Sequence, residues 1–228
     1  MTAASLFITG TDTGVGKTHV ARLLLQQAAA QGISCVGFKP VAAGGRQTAD
    51  GFRNEDALEL QAAANVRAPY ELINPYLLRE AVAPHIGAAV EGVKLQAGRI
   101  FAAHADLAAQ AELVIVEGAG GWQVPLNDKL NLGELVGMAR WPVILVVGMR
   151  LGCLNHALLS ADAIRAKTTL LGWIANCLPP AQPRREENLS TLLTRMPAPL
   201  LAVVPAEGEK LAFGWPVLTD LSIRSLMP

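Results

Sequence analysis

Ser5-Leu6-Phe7-Ile8-Thr9, followed without a break by Gly10-Thr11-Asp12-Thr13-Gly14-Val15-Gly16-Lys17-Thr18, is the stretch on which the fold of this chain turns. The first five residues form a short apolar run of the kind that makes a buried strand, and a helical pattern follows from His19 to Ala30. Strand, glycine-rich loop and helix in that order make a phosphate-binding loop. Backbone N–H groups of Gly14, Val15, Gly16, Lys17 and Thr18 can wrap phosphates at the positive end of the helix. Lys17 then neutralises the β- and γ-oxygens, and the Thr18 hydroxyl faces Mg²⁺. The strict pattern places glycine five positions before Gly16. Thr11 stands there and Gly10 lies one position earlier, so the loop opens in a variant form. ATP or GTP is the expected ligand.

Outward from this loop, apolar runs recur at Ser34 to Lys39, Leu113 to Val116, Pro142 to Val147, Leu170 to Ala175 and Leu200 to Val204. Helical patterns lie between them at Glu55 to Ala64, Gly98 to Gln110 and Asn155 to Ala166. Alternation of this kind predicts a doubly wound, mostly parallel α/β sheet with helices on both faces, of the P-loop NTPase type. With 228 residues, one domain over 1–228 is expected. Pro179 to Pro183 reads as a surface loop, and the chain after Gly208 carries no assignable pattern.

Composition narrows the function. Nineteen basic and 19 acidic residues cancel, and no block of like charge suggests nucleic acid or a membrane surface. Cys35, Cys153 and Cys177 are far apart, with no zinc-ligand spacing, and read as free thiols of a reducing compartment. No apolar run reaches the roughly 18 residues of a membrane span. A cytoplasmic protein acting on small molecules is the expectation.

In doubly wound sheets, ligands bind where loops meet the carboxyl ends of the strands. The run Leu113 to Val116 ends in Glu117 and then Gly118-Ala119-Gly120-Gly121, so a carboxylate able to hold Mg²⁺ or its waters precedes a loop that lets a ligand approach backbone. A charged residue ending a strand is the ordinary alternative. Lys39-Pro40-Val41 follows the second strand, where an ammonium beside Lys17 would stabilise a transferring phosphoryl group. Most strand-end lysines are merely solvated.

The chain carries further blocks: Asn54-Glu55-Asp56, Asn74-Pro75-Tyr76, Ala83-Pro84-His85, Val116 to Trp122, Val147 to His156, and Gly172 to Asn176. Together with the loop and Lys39-Pro40-Val41, in this order and to about Pro205, they resemble the dethiobiotin synthetase family. That resemblance implies ATP-dependent closure of a cyclic urea: CO₂ carboxylates 7,8-diaminononanoate, the carbamate takes the γ-phosphoryl group, and the second amine closes the ring.

By matching position, the resemblance makes Lys39 and Lys17 the catalytic lysines. It places Thr18, Asp56 and Glu117 around Mg²⁺. His19, Gly118, Ala119 and Gly120 join the ATP site, and Asn176, Cys177, Pro205, Ala206 and Glu207 surround adenine. Ala43, Gly152, Cys153, Leu154 and Asn155 join Lys39 in the substrate site, the loop Gly148 to Asn155 taking the diamine's distant carboxylate through its N–H groups. A homodimer is implied as well. For Asp56, the residue-level alternative is a helix N-terminal acid favoured by the helix dipole; for Asn176, it is a turn residue. Ala43, Arg150 and Asn188 depart from the family pattern of Ser or Thr, Lys, and Tyr.

Two rival readings use the same loop. A ParA/MinD-like switch carries a signature lysine where this chain has Asp12, and no basic amphipathic tail follows. An amidating enzyme of the cobyrinate type normally joins a glutamine-hydrolysing domain for which 228 residues leave no room.

Overall fold

The structure is a computed structural model that describes residues 3–206, 218 and 221–227. Strands β1 (Ala4–Gly10), β2 (Cys35–Phe38), β7 (Leu113–Glu117), β10 (Val143–Gly148), β11 (Leu170–Asn176) and β12 (Leu200–Val204) form one sheet in the order β12-β11-β10-β1-β7-β2. Every pairing in it is parallel. These are the six apolar runs of the sequence. Parallel strands covered on both faces must be apolar throughout, and β7 and β10 are buried at every position.

Side chains alternate between faces with the strand period of two. Phe7, Val114, Val116, Val143, Leu145 and Val147 enter one core, while Leu6, Ile8, Leu113, Ile115, Ile144 and Val146 enter the other. The second core is covered by α1 (Lys17–Ala30) through Val20, Ala21, Leu24, Leu25 and Ala28. The first is covered by α5 (Ala97–Ala108), α6 (Leu132–Ala139), α7 (Cys153–Arg165) and α8 (Arg185–Arg195). The expected helix at His19 starts two residues earlier, which puts Lys17 and Thr18 in its first turn.

Not all of the smaller elements were expected from the sequence. α2 (Glu55–Ala63) was; α3 (Tyr70–Ile73) and α4 (Pro84–Val90) were not. Nor were three two-stranded ribbons, β3 (Val41–Ala43) with β6 (Tyr76–Leu78), β4 (Arg46–Thr48) with β5 (Gly51–Arg53), and β8 (Pro125–Asn127) with β9 (Leu130–Asn131). α6 contains Gly133 and Gly137, poor helix formers. Gly133 is there because a Cβ would lie 2.7 Å from Trp122.

Between β1 and the edge strand β2, the sheet inserts β7. The carboxyl ends of β1, β2 and β7 therefore open side by side, and the loops after them converge.

Candidate active site

Gly14 (φ 72°) and Gly16 (φ 86°) hold left-handed backbone angles in the loop after β1. A Cβ on Gly16 would lie 2.1 Å from the Asn176 side-chain nitrogen, so only glycine fits. Gly10 is equally confined: its Cβ would lie 2.5 Å from Val15. That contact explains the variant opening, because Gly10 itself is the close-approach position and Thr11 continues the sheet, donating from N–H to Val146 at 3.1 Å.

At the head of the loop, the buried Lys17 donates from Nζ to the Asp12 carbonyl at 3.0 Å. Burial, and Lys39 nearby, lower its pKa to about 8. The Asp12 carboxylate accepts from Thr13 N–H and pairs with Arg150, so an ion pair ties the phosphate loop to the loop after β10.

Lys39, 3% exposed, is the centre of the site. Its Nζ donates to Glu117 Oε1 at 2.6 Å, to Asp56 Oδ2 at 2.7 Å and to the Gly118 carbonyl at 3.3 Å. Burial alone would lower the ammonium, but Glu117 and Asp56 together carry it above the usual lysine value. Burial also raises Glu117, with Lys39 offsetting part of the rise. Asp56 feels burial too, yet Lys39, Thr18 and Lys17 hold it below the usual carboxylate range. Thr18 Oγ1 donates to Glu117 Oε1 at 2.8 Å.

These residues fit Mg²⁺. Thr18, Asp56 and Glu117 offer hard oxygens, and Glu117 Oε2 is buried without a hydrogen-bond partner. Among the described residues no cluster of three or more His, Cys, Asp or Glu could hold a metal. Mg²⁺ needs none, since it keeps waters and phosphate oxygens around one or two carboxylates.

A cleft of about 670 Å³ runs past these groups, lined by Gly14, Gly16, Lys17, Thr18, Lys39, Asp56, Glu117, Ala119 and Gly120. Its far wall is apolar: Ala42, Ala43, Ala81, Val82, Ala83 and Pro84. Val15 is fully buried and offers only backbone, and Gly118 packs its Cα against Phe7, where a Cβ would lie 2.8 Å from the ring. His19 is exposed beside Arg22.

Asn176, Cys177, Pro205 and Ala206 come together because β11 and β12 end in register, Asn176 opposite Val204, with Cys177 N–H donating to Val204 at 2.9 Å. The Asn176 amide is partly spent: it donates to the Val15 carbonyl at 2.9 Å and so braces the phosphate loop. Glu207 lies outside the described residues.

Gly152, Cys153, Leu154 and Asn155 do not line the cleft. They open α7 beyond Arg150, Cys153 is buried with its sulfur facing the Gln182 amide, and its N–H is taken by the Arg150 carbonyl. A second cavity of about 740 Å³, between Arg150, Leu151, Asn188 and Leu178 to Pro183, meets the first at Gly14. Sequence reading also passed over Tyr70 and gave no role to Asn54 and Asn74, which build the scaffold beneath Lys39. The motifs Asn54-Glu55-Asp56 and Asn74-Pro75-Tyr76 were the available signal.

An AAA domain family model matches residues 4–210. The ATP-dependent dethiobiotin synthetase BioD of Aromatoleum aromaticum is 52% identical over 200 residues, 87% of this chain and 89% of that protein. Its namesakes in Cellvibrio japonicus and Pseudomonas aeruginosa are each 50% identical over about nine-tenths of both chains. The chain belongs to the dethiobiotin synthetase family. Among solved structures, the signal recognition particle receptor FtsY from Elizabethkingia anophelis in complex with GDP matches with TM-score 0.53 at 16% identity. That match covers 97% of this chain and 60% of FtsY. It shows a shared P-loop NTPase fold and nothing finer.

Proposed function

We propose that this chain closes the cyclic urea of dethiobiotin from 7,8-diaminononanoate, CO₂ and ATP, releasing ADP and phosphate, in biotin biosynthesis. The observation that carries this reading is the Lys39 ammonium, buried at the mouth of a phosphate loop and facing a cleft with one charged and one apolar wall. The charged wall suits a carbamate meeting a γ-phosphoryl group; the apolar wall suits an alkyl chain.

One amine of the diamine adds to CO₂ and loses a proton, giving a carbamate. A carbamate oxygen attacks the γ-phosphorus as the bond to the β-phosphate bridging oxygen breaks and ADP leaves. The second amine attacks the carbonyl carbon, the C–O bond to phosphate breaks, and phosphate leaves with the ring closed. The reaction calls chiefly for alignment and charge stabilisation.

Gly14, Val15, Gly16, Lys17 and Thr18 hold the phosphates, with Lys17 leaving the Asp12 carbonyl for them. Lys39 stabilises the carbamate and the phosphoryl oxygens. Thr18, Asp56 and Glu117 would hold Mg²⁺, which would supply positive charge against the phosphates. Gly118, Ala119 and Gly120 give close backbone approach beside it. His19, Asn176, Cys177, Pro205 and Ala206 flank the nucleoside. The α7 opening at Gly152 to Asn155 receives the distant carboxylate. Ala43 lines the diamine's path without the hydroxyl its family pattern carries, a loss of about 1 kcal/mol.

The chain acts in the cytoplasm as a homodimer, a reading supported by Cys35 and Cys153, buried as thiols, and by Leu151, 95% exposed beside the second cavity. Sedimentation showing only monomer at micromolar concentration would remove the dimer. Phosphate release from Mg·ATP and bicarbonate, with and without the diamine, tests the activity. Diamine-dependent turnover that Lys39→Ala abolishes is expected; diamine-independent hydrolysis overturns the assignment.

A further inference from the structure

Beneath the charged cluster lies a buried polar chain that the reaction just described does not use. Tyr70, at the start of α3, is 8% exposed, Asn54 9% and Asn74 4%. The Tyr70 hydroxyl accepts from Asn54 N–H at 2.8 Å and donates to Asn74 Oδ1 at 3.1 Å. From Asn74, the amide donates to the Lys39 carbonyl at 2.7 Å and to the Tyr76 carbonyl at 3.1 Å, while Lys39 N–H donates to the Ile73 carbonyl at 2.8 Å. From Asn54, the side chain caps α2, accepting from Ala57 N–H at 3.1 Å, and so sets the turn that carries Asp56.

Both ends of the chain thus finish on the charged cluster, one at the Lys39 backbone and one at the Asp56 turn. Apolar packing alone would be served as well by phenylalanine. A hydroxyl placed between two asparagines fixes the spacing of the two segments, because every donor and acceptor in a buried network holds its partner in register. Arg53 closes the ring face from outside at 4.3 Å.

We infer that the Tyr70 hydroxyl is a positioning group for this site, setting the distance between the Lys39 ammonium and the Asp56 carboxylate through Asn74 and Asn54. The inference rests on the reading of Lys39 and Asp56 given above. Gly14 and Gly16 of the phosphate loop are not members of this network.

Tyr70→Phe removes the hydroxyl and keeps the ring. Ile164→Val, on the buried face of α7 and outside the network, serves as a variant of modest destabilisation. In Tyr70→Phe, kcat is expected to fall about tenfold, well short of the hundredfold that a full ångström of misplacement costs. The KM for Mg·ATP should rise by no more than about the same fivefold as the loss of metal affinity, since the loop backbone is untouched. Mn²⁺ binding in the presence of ADP, read by paramagnetic resonance, should weaken about fivefold because Asp56 is displaced. Ile164→Val should change neither. Wild-type kcat and Mn²⁺ affinity in Tyr70→Phe, or the same losses in Ile164→Val, would overturn the inference. A native chain without diamine-dependent turnover would instead remove the functional reading, and the Mn²⁺ measurement would still decide this one.

Discussion

Replacing Lys39 by methionine keeps most of the side-chain volume and removes the one cation between two carboxylates. In the folded protein, Glu117 has a fully buried side chain and Asp56 a side chain 41% exposed, 2.6 and 2.7 Å from the ammonium. Removing one partner of a buried ion pair costs about 3–5 kcal/mol, because the other is left uncompensated. Asp56 can turn to water, so its share is screened and the cost falls mainly on Glu117. About 3 kcal/mol is therefore the expected loss, which for a chain of this length lowers Tm by roughly 6–12 °C. Thermal melts in EDTA would measure it.

Millimolar Mg²⁺ without nucleotide should then raise the variant's Tm more than the native protein's, because a ligand that binds only the folded state stabilises by mass action. In the native protein the ammonium already occupies those oxygens. Melting of Lys39→Met within about 2 °C of the native protein in EDTA would show that the ammonium does not carry the two carboxylates, and the geometry would have been over-read.

Two other outcomes can be checked with simple variants. Gly16→Ala forces a Cβ to 2.1 Å from the Asn176 amide at a φ of 86°, so ATP binding by calorimetry should weaken at least ~100-fold while the fold persists; unaltered affinity would mean that the loop reshapes freely. His104 packs on Trp141 with ring centroids 4.6 Å apart and lies 2.9 Å from Ser5 Oγ, and burial lowers its pKa from 6.5 to about 4. The unfolded chain therefore binds the extra proton first as pH falls, and stability drops between about pH 6.5 and 4. After allowance for partial exposure, that drop is about 2 kcal/mol. His104→Phe should flatten the dependence of Tm on pH in that window, and an unchanged slope would assign the acid sensitivity elsewhere.

The sequence by itself determined the fold class and the nucleotide loop, because both depend on local pattern. Six apolar runs became the six parallel strands, since a strand buried on two faces needs no partner information to be recognised. Gly14 to Thr18 needed only a strand before and a helix after. Lys39, Asp56 and Glu117 were legible as separate strand-end or helix-start residues, and the family resemblance grouped them. Their roles were not legible from residue type: an acid in the first turn of α2 is ordinary, and Asp56 does occupy that position.

Tertiary structure decided what those residues do to one another. Insertion of β7 between β1 and β2 brings Glu117 to Lys39 across 78 positions of sequence, and α2 delivers Asp56 to the same ammonium. The β3–β6 pairing and the bond from Asn74 to the Lys39 carbonyl likewise join segments about 35 positions apart. Cys153, adjacent to a ligand loop in sequence, turns into the core and away from the cleft. Periodicity reports which face of an element is buried; it carries no distance between elements, and the chemistry here depends on distances of under 3 Å between side chains from three of them.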